Sequence, residues 1–123
     1  MDRKNLGGFG EKIAKNFLKK KGYKILGQNF KRKWGEIDII GQNRGKIIFF
    51  EVKTIISSQE FVPEDQITPH KKRQLLKMTQ IYLNENKISL NNPCQIDIIA
   101  IEVSPDFKKA NVRHHKNAIE DYR

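Results

Sequence analysis

The segment IIFFEVKT, residues 47–54, constrains the fold of this chain more than any other part of the sequence. Its four large apolar residues indicate a buried strand. Glu51 and Lys53 follow with only Val52 between them, so their side chains leave the strand on one side, about 7 Å apart. A carboxylate and an amine at the end of a buried strand are costly unless they are paired or bind a cation. The segment therefore indicates either a functional pair at the rim of a sheet or an ordinary ion pair at a strand edge.

The rest of the sequence predicts an α/β domain around this strand. Apolar residues recur at helical spacing over residues 8–21, and Gly22 suits the C′ position of that helix. Thr68-Pro69 is a strong helix start, and the second helix is expected to run to about Glu85. Strands are predicted at residues 23–32, 35–40, 46–54, 94–103 and 110–115. The order α-β-β-β-α-β-β implies a parallel strand pair inside a mixed sheet flanked by helices.

Composition sets the class of protein. A length of 123 residues fits one domain, here residues 1–123, and 37% hydrophobic with 31% charged residues is typical of a globular chain. Cys94 is the only cysteine, which excludes an intrachain disulfide and a cysteine-based zinc site. The sequence shows no signal-peptide pattern and no apolar run near the roughly 20 residues of a membrane span. We therefore expect a cytoplasmic protein without a membrane partner.

The charge favours a polyanionic partner. With 24 Lys and Arg against 14 Asp and Glu, the net charge is +10, and nucleic acid is the first candidate, ahead of a membrane surface. Lys31, Arg32 and Lys33 precede the 35–40 strand and are predicted to contact a nucleic-acid backbone, with a solvated basic face as the equal alternative. Trp34 would then stack on a base, although a core position is the favoured interpretation because tryptophan is usually buried.

A second basic run lies in the first turn of the second predicted helix. Lys71, Lys72 and Arg73 are cations at a position where they oppose the helix dipole. A bound phosphate would explain that cost, since helix N-termini also bind anions. Local neutralisation by Glu64 and Asp65 explains it equally well. Both interpretations stay open at this point.

Two further features are interpreted as structural. His70, His114 and His115 show no metal-ligand spacing and are expected on the surface or in turns. The segment QIDII, residues 95–99, resembles EIDII, residues 36–40, but no lysine follows it at the corresponding place. We interpret it as another buried strand and not as a second site.

The register of the predicted hairpin decides which acidic side chains meet Glu51. A two- or four-residue turn within residues 41–46 gives pairs whose numbers sum to 87. That register places Asp38 opposite Phe49 and diagonal to Glu51, with Glu36 directly opposite Glu51. A three-residue loop with a bulge would change the parity of the pairs.

In the first register, two or three carboxylates lie beside Lys53 and repel each other. Mg²⁺ or Mn²⁺ held by Asp38 and Glu51 would relieve that repulsion, and Mg²⁺ commonly combines one or two carboxylates with waters at phosphate sites. Such a cation suits phosphodiester hydrolysis because it polarises a phosphoryl oxygen and orients a water. Lys53 would position or activate that water, or offset charge in the transition state. By itself, however, an E-x-K tripeptide is a weak motif.

Three segments resemble the YraN family of bacterial proteins: GGFGEKIAKNFLKKKGYKIL, NFKRKWGEIDII and IIFFEVKT. That family is similar to Holliday-junction resolvases and other nucleases of the PD-(D/E)xK superfamily, and the resemblance runs from about Gly7 to Ala118. It implies a restriction-endonuclease-like αβββαβ core and a metal-dependent endonuclease acting on DNA, including branched or structured DNA. By analogy, cutting two strands of a junction favours a homodimer. The alternatives are a non-catalytic nucleic-acid-binding protein with the same fold and a small protein that docks on an acidic partner.

The resemblance also implies roles for individual residues. By motif match, Asp38, Glu51 and Lys53 would be the catalytic Asp, Glu and Lys of the superfamily. Two positions depart from the pattern. Ile37 replaces the proline of the motif, and Ile55 stands where the family usually has an arginine, so one expected phosphate contact is missing.

Glu11 matches the acidic residue that resolvases carry on their first helix. It shares a helical stripe with Ala14 and Leu18 that borders the core-facing side, so it would lean toward the sheet. The alternative is that Glu11 has no role in a site, because an acidic residue in the first turn of a helix is favoured by the helix dipole.

Overall fold

Five strands form one mixed sheet between two helices in the computed structural model, which describes residues 3–57 and 67–119. The elements are α1 Arg3–Lys20, β1 Lys24–Arg32, β2 Gly35–Asn43, β3 Lys46–Ile56, α2 Pro69–Glu85, β4 Cys94–Val103 and β5 Ala110–Ile119. The strands lie in chain order, and all neighbours are antiparallel except the parallel pair β3 and β4. The predicted α/β architecture is confirmed, and it is consistent with a restriction-endonuclease-like core. In the described part of the chain, no helix has the length and apolarity to cross a membrane.

Helix α1 ends as the sequence predicts but begins earlier. Gly22 has a φ of +94°, and the N–H of Tyr23 donates to the carbonyl of Leu18 at 3.0 Å, which is the Schellman ending that favours glycine. The helix begins at Arg3 instead of residue 8.

Helix α2 follows its sequence signals closely. The Thr68 hydroxyl accepts a hydrogen bond from the N–H of Lys71 at 3.1 Å, and proline occupies the first helical position. The helix spans Pro69–Glu85, as predicted. Its buried residues are Leu75, Met78, Thr79 and Leu83. These residues form the face of α2 that packs on the sheet.

Alternation along the strands divides the core into two parts. Phe49 packs on the α2 side of the sheet, and the next residue, Phe50, packs on the α1 side. We call these the α1-side core and the α2-side core. The α1-side core is built mainly from Ala14, Leu18, Ile39, Ile48, Phe50, Val52, Ile99 and Ile101. The α2-side core is built mainly from Ile37, Ile40, Ile47, Phe49, Leu75, Met78, Leu83 and Ile96.

The register of the β2–β3 hairpin differs from the predicted one. Asn43 pairs with Lys46 across the two-residue turn Arg44-Gly45, so pair numbers sum to 89 and not 87. The φ angles of Arg44 and Gly45 are +53° and +77°, as in a type I′ turn, and glycine is favoured at the second position. The expected turn was centred one residue earlier, on Asn43-Arg44, where the second residue has no such freedom.

The corrected register changes which residues face each other. Ile40, and not Asp38, lies opposite Phe49. Glu36 is not opposite Glu51, because the hairpin pairing stops at Ile39. The predicted diagonal arrangement is therefore wrong.

Strand β2 changes sidedness at Asp38. Ile37 packs in the α2-side core and Ile39 in the α1-side core, although regular alternation would place both on one face. The backbone pairing of β2 with β3 ends at Ile39. The side chain of Asp38, the residue before it, then takes the place of a backbone acceptor, since its Oδ2 accepts a hydrogen bond from the N–H of Val52 at 2.7 Å. On β1, Asn29 has a φ of +53°. The sheet thus opens between β2 and β3, and polar side chains enter the opening.

Candidate active site

Asp38 and Glu51 meet where β2 and β3 separate. The last hairpin pair joins Ile39 and Phe50, so Asp38 and Glu51 are the next residue on each strand, just beyond the paired part of the hairpin. Oδ2 of Asp38 accepts a hydrogen bond from the N–H of Val52, the residue after Glu51, and the charge of Asp38 is among the causes that raise the pKa of Glu51. The two predicted metal ligands therefore lie near each other at the point where the hairpin pairing ends.

Glu51 is a buried carboxylate, and one of its two oxygens has no hydrogen-bond partner. Only 6% of the residue is exposed, and its Oε1 lies 3.7 Å from Nζ of Lys71. Its Oε2 is buried without a hydrogen-bond partner. Burial and the charge of Asp38 raise the pKa of Glu51 to about 8, although Lys71 and Lys53 oppose the shift. A proton or a cation at Oε2 would remove the cost of this arrangement.

Asp38 has a raised pKa for a similar reason. Burial raises the pKa to about 6, although the hydrogen bond from the N–H of Val52 opposes the shift. The charge of Glu36 raises the pKa further, and Lys71 and Lys53 lower it. Because repulsion among carboxylates adds to burial, the site favours a cation over a second negative charge.

Glu11 approaches the same region from α1. Burial, then the charges of Asp38 and Glu36, raise its pKa to about 7, and Lys31 opposes the shift. When the amide of Asn29 is oriented with its nitrogen toward the two carboxylates, it donates to Glu11 at 2.7 Å and to Glu36 at 3.1 Å. The predicted site residue therefore lies in the electrostatic range of Asp38.

The position of Glu11 follows from a close contact between α1 and β3. A Cβ atom at Gly10 would lie 1.7 Å from Oγ1 of Thr54, so only glycine fits there. This contact sets the distance between α1 and β3 one residue before Glu11. Because α1 begins at Arg3, Glu11 is not in the first turn, and the dipole does not explain its presence.

Two lysines face the carboxylates. Lys53 lies two residues after Glu51 on β3, as the motif predicts. Lys71 reaches Glu51 from the first turn of α2, and it lowers the pKa of both Asp38 and Glu51 more than Lys53 does. Sequence reasoning placed Lys71 among the nucleic-acid contacts and missed this proximity. The only signal was the cation at an unfavourable place in the helix that follows Thr68.

The residues present fit a hard divalent cation. Asp38 and Glu51 supply two carboxylates, and Glu51 Oε2 has no competing donor. Within residues 3–57 and 67–119, no group of three or more His, Cys, Asp or Glu side chains has the arrangement of a metal site. Mg²⁺ does not require one, since it commonly takes one or two carboxylates and completes its shell with water and phosphate oxygens.

Comparison with known proteins identifies the family. Residues 10–101 match the model of the uncharacterised protein family UPF0102. This chain belongs to the UPF0102 family. It is the YraN family that the three sequence segments resemble. The matched range contains Glu11, Asp38, Glu51, Lys53 and Lys71.

Individual UPF0102 proteins match over nearly their whole length. One from Caldanaerobacter subterraneus subsp. tengcongensis is 39% identical over 119 residues, which cover 96% of this chain and 97% of that protein. One from Geotalea daltonii is 39% identical over 119 residues, with coverages of 97% and 92%. One from Lachnoclostridium phytofermentans is 33% identical over 122 residues, with coverages of 99% and 98%. The likeness therefore extends over both helices and all five strands.

One of the predicted nucleic-acid contacts is engaged within this UPF0102 chain. The Nε of Arg32 donates to Oε2 of Glu85 at 2.7 Å, and the guanidinium lies 4.2 Å from the ring centroid of Phe30. These contacts join the end of β1 to the end of α2. The Arg32 side chain is 43% exposed, but its donors already have a carboxylate partner.

Two of the predicted contacts on α2 are exposed. Lys72 and Arg73 line a groove of about 480 Å³ between α2 and the end of β5, beside Ala118. The residues proposed to neutralise them, Glu64 and Asp65, lie outside the described residues. Lys72 and Arg73 are therefore placed where a polyanion can reach them.

The expectation that Trp34 is a core residue is wrong. Its exposed fraction is 46%. Gly35 follows it with a φ of +154°, and a Cβ atom built on Gly35 would lie 3.5 Å from Cγ of Met78 in α2. Nζ of Lys77 lies 3.4 Å from a Trp34 ring centroid, and Nζ of Lys33 lies 5.1 Å away. The tip of the β1–β2 hairpin thus carries an exposed aromatic ring between lysines.

The expectation for His114 is also wrong, because this residue is not on the surface. Its side chain is 10% exposed, and Nε2 lies 2.7 Å from Oδ2 of Asp97. The ring packs against Tyr23 and Phe50 of the α1-side core. β5 also continues to Ile119, beyond the predicted end at residue 115. The other two histidines are exposed, as expected.

Asp97 belongs to a buried strand, as the sequence interpretation states. It is fully buried, and its Oδ1 accepts hydrogen bonds from the Gln95 amide at 2.7 Å and from the N–H of Asn117 at 2.8 Å. Like Asp38, it sits at a strand irregularity and binds the N–H of a neighbouring strand. Unlike Glu51, it has partners at both oxygens, and this saturation distinguishes the structural carboxylate from the candidate site.

Proposed function

We propose that this UPF0102 protein is a divalent-cation-dependent endonuclease that hydrolyses phosphodiester bonds in DNA, including branched or otherwise structured DNA. The observation that carries the proposal is the Asp38–Glu51 pair, in which Glu51 Oε2 is buried without a hydrogen-bond partner. A buried, unsatisfied carboxylate oxygen is costly unless a cation takes it. The net charge of +10 supports a polyanionic substrate.

Asp38 and Glu51 would hold Mg²⁺ or Mn²⁺. When bound, such a cation polarises a phosphoryl oxygen and makes its water a stronger nucleophile at neutral pH. The burial that raises the pKa of both carboxyl groups also strengthens their interaction with a cation, because the surroundings screen it less than water does.

The protein side chains would do the remaining work. Lys53, beside Glu51 on β3, positions the attacking water and offsets the negative charge that develops on the phosphoryl oxygens. Lys71 faces the same carboxylates and contacts a phosphate oxygen of the substrate once a cation satisfies Glu51. Glu11, with its pKa raised to about 7, accepts a proton at neutral pH.

Cleavage assays test the proposal. Branched, single-stranded and duplex DNA are incubated with Mg²⁺ or Mn²⁺, and the wild-type protein is expected to cut at least the branched substrate. Lys53→Ala and Glu51→Gln are each expected to slow cutting by about 10²–10³-fold, as does loss of one transition-state donor in other enzymes. Lys46→Ala, at the opposite end of β3, removes the same charge and serves as the control. If all variants cut as fast as the wild type, the assigned site is wrong.

A non-catalytic role has its own support, because a net charge of +10 binds nucleic acid without any carboxylate site. In that case the wild type binds DNA in a salt-sensitive manner and does not cut it with either cation. The Asp38→Asn variant then binds DNA as tightly as the wild type. Absence of any nucleic-acid binding would favour an acidic protein partner instead. If the protein is a nuclease that cuts two strands of a junction, we expect it to be a cytoplasmic homodimer.

A further inference from the structure

The tip of the β1–β2 hairpin carries a feature that the catalytic proposal does not use. Trp34 is the single tryptophan of the chain, and almost half of it is exposed. Lys77 reaches its ring from α2 and Lys33 from the hairpin, at 3.4 and 5.1 Å from ring centroids. We call these three side chains the Trp34 platform. An exposed tryptophan flanked by cations is a surface suited to a planar, anionic partner.

The Trp34 platform is connected to the candidate active site. Trp34 precedes Asp38 by four residues, so the two lie at most about 13 Å apart along the strand direction. On the neighbouring strand, Lys31 pairs with Glu36 and lowers the pKa of Glu11. At roughly 3.4 Å per stacked nucleotide, the distance between platform and site corresponds to about four nucleotides. One strand of DNA can therefore occupy both places.

The hairpin backbone on both sides of Trp34 is close to α2. A Cβ atom built on Gly35 would be 3.5 Å from Cγ of Met78. The contact between Arg32 and Glu85 joins the same hairpin to the end of α2. Because these contacts hold the hairpin tip against α2, less backbone freedom is lost when a partner binds to the exposed ring.

We propose that the Trp34 platform is a stacking site for an unpaired nucleobase of the DNA substrate, with Lys33 and Lys77 contacting the adjacent phosphates. The base replaces the ammonium group of Lys77 on the ring, and that lysine moves to a phosphate. A paired base inside a duplex presents no free face, so the substrate class is DNA with unpaired nucleotides within about four positions of the scissile phosphate. The inference rests on the proposed function for the identity of the polymer.

The fluorescence of Trp34 tests this directly, since no other tryptophan contributes. Without divalent cations, so that no cleavage occurs, a short oligothymidylate is expected to quench the emission, and a blunt duplex of equal length is expected to bind with little quenching. Trp34→Ala is expected to weaken single-strand binding about tenfold and to leave duplex binding unchanged. Trp34→Phe keeps an aromatic face and is expected to restore most of the affinity.

A pair of lysine variants separates stacking from overall charge. Lys77→Gln and Lys21→Gln each remove one charge and one lysine over an aromatic ring, because Nζ of Lys21 lies 5.5 Å from the ring centroid of Phe17. Only Lys77→Gln is expected to weaken single-strand binding beyond the common charge effect. Equal losses in both variants would overturn the role of Lys77 in the platform.

The inference and the proposed function fail in different ways. Saturating oligothymidylate that leaves Trp34 emission unchanged, or equal binding by Trp34→Ala, overturns the stacking site even if the protein cuts DNA. Quenching by oligothymidylate without cleavage in Mg²⁺ or Mn²⁺ overturns the nuclease and supports the stacking site. Absence of binding to any DNA overturns both.

Discussion

At the scale of single residues, the site is a group of carboxyl groups that resist ionisation. The pKa values of Glu11, Asp38 and Glu51 are raised to about 7, 6 and 8, and burial is the largest cause in each case. Without a bound cation, these carboxyl groups stay protonated at pH values at which a carboxyl group in water has lost its proton. The site is therefore unfavourable for stability at neutral pH, as expected for residues held in place for binding.

Replacement of Glu51 by glutamine should stabilise the protein without divalent cations. The pKa of Glu51 is about 8 in the folded state against 4.5 ordinarily, so its contribution to stability is full below about pH 4.5 and is lost as pH rises through 8. Glu51→Gln removes this loss, and we expect its free energy of unfolding at pH 8 to exceed that of the wild type by about 1–3 kcal/mol. Urea denaturation with a chelator at pH 5 and pH 8 measures the difference.

Glu85→Gln is the control of opposite sign for that experiment. A hydrogen bond from Arg32 lowers the pKa of Glu85, so this exposed carboxylate contributes stability above its ordinary pKa and loses it as pH falls. Glu85→Gln should therefore not raise the free energy of unfolding at pH 8. A Glu51→Gln variant that is no more stable than the wild type at pH 8 would contradict the raised pKa.

At the scale of elements, the position of α1 on the sheet depends on one glycine. A Cβ at Gly10 would collide with Thr54, whereas none of the surrounding atoms lies within 4 Å of a Cβ built at Gly7. Gly10→Ala is expected to lower the free energy of unfolding by about 1–3 kcal/mol through overpacking, and to slow cleavage by moving Glu11.

Gly7→Ala is the matched control, because it makes the same change in the same helix without a collision. It should raise stability by up to about 1 kcal/mol through helix propensity and leave cleavage unchanged. Thermal unfolding of both variants, with cleavage rates measured below their transitions, decides the matter. Equal effects of the two substitutions would show that α1 does not pack on β3 at Gly10.

The similar segments around Asp38 and Asp97 allow a second comparison between elements. Asp97→Ala leaves Gln95, His114 and the N–H of Asn117 without their acceptor, and we expect a loss of about 3 kcal/mol. Asp38→Ala removes one backbone hydrogen bond but also a repelled carboxylate, so we expect a change in stability below about 1 kcal/mol.

Cleavage should show the reverse order. Asp38→Ala is expected to abolish it, whereas Asp97→Ala is expected to retain it at temperatures where the variant is folded. Denaturation curves and cleavage rates for the two variants provide the measurement. If Asp97→Ala is as stable as the wild type and inactive, the assignment of the two aspartates is reversed.

The sequence predicts the elements well because their signals are local. The Thr68-Pro69 start and the Gly22 ending depend only on neighbouring residues, and both are confirmed. Asp38 and Glu51 meet although the predicted register is wrong, because each is directly adjacent to a member of the last observed hairpin pair, Ile39 and Phe50, on the side where the strands separate.

The remaining differences arise from contacts between distant elements. Lys71 joins the carboxylates only because the first turn of α2 lies within reach of Glu51 on β3, which no local pattern shows. Trp34 is exposed beside Lys77 of α2, and His114 is buried through its contacts with Asp97 of β4 and Phe50 of β3. Each of these outcomes depends on how elements pack and not on the residue type alone.

At the scale of the whole molecule, the net charge predicts salt-sensitive DNA binding. Arg32 is not expected to contribute to it, because its guanidinium pairs with Glu85. Four of the six predicted basic contacts remain without divalent cations when Arg32, paired with Glu85, and Lys71, paired with Glu51, are set aside, so the slope of log K against log salt for duplex DNA should be about −3.6. Lys72→Gln should reduce the magnitude of that slope by about 1, whereas Arg32→Gln should leave it unchanged. Equal effects of the two substitutions would show that Arg32 leaves Glu85 to bind phosphate.

The central claim is that Asp38 and Glu51 together hold a divalent cation. Anomalous diffraction from a crystal soaked in Mn²⁺ tests it most directly, with a crystal of Asp38→Asn treated in the same way as the control. We predict one strong peak at coordination distance from both carboxylates in the wild type and none at that position in the variant. A fully soaked wild-type crystal with no peak between Asp38 and Glu51 would contradict the account.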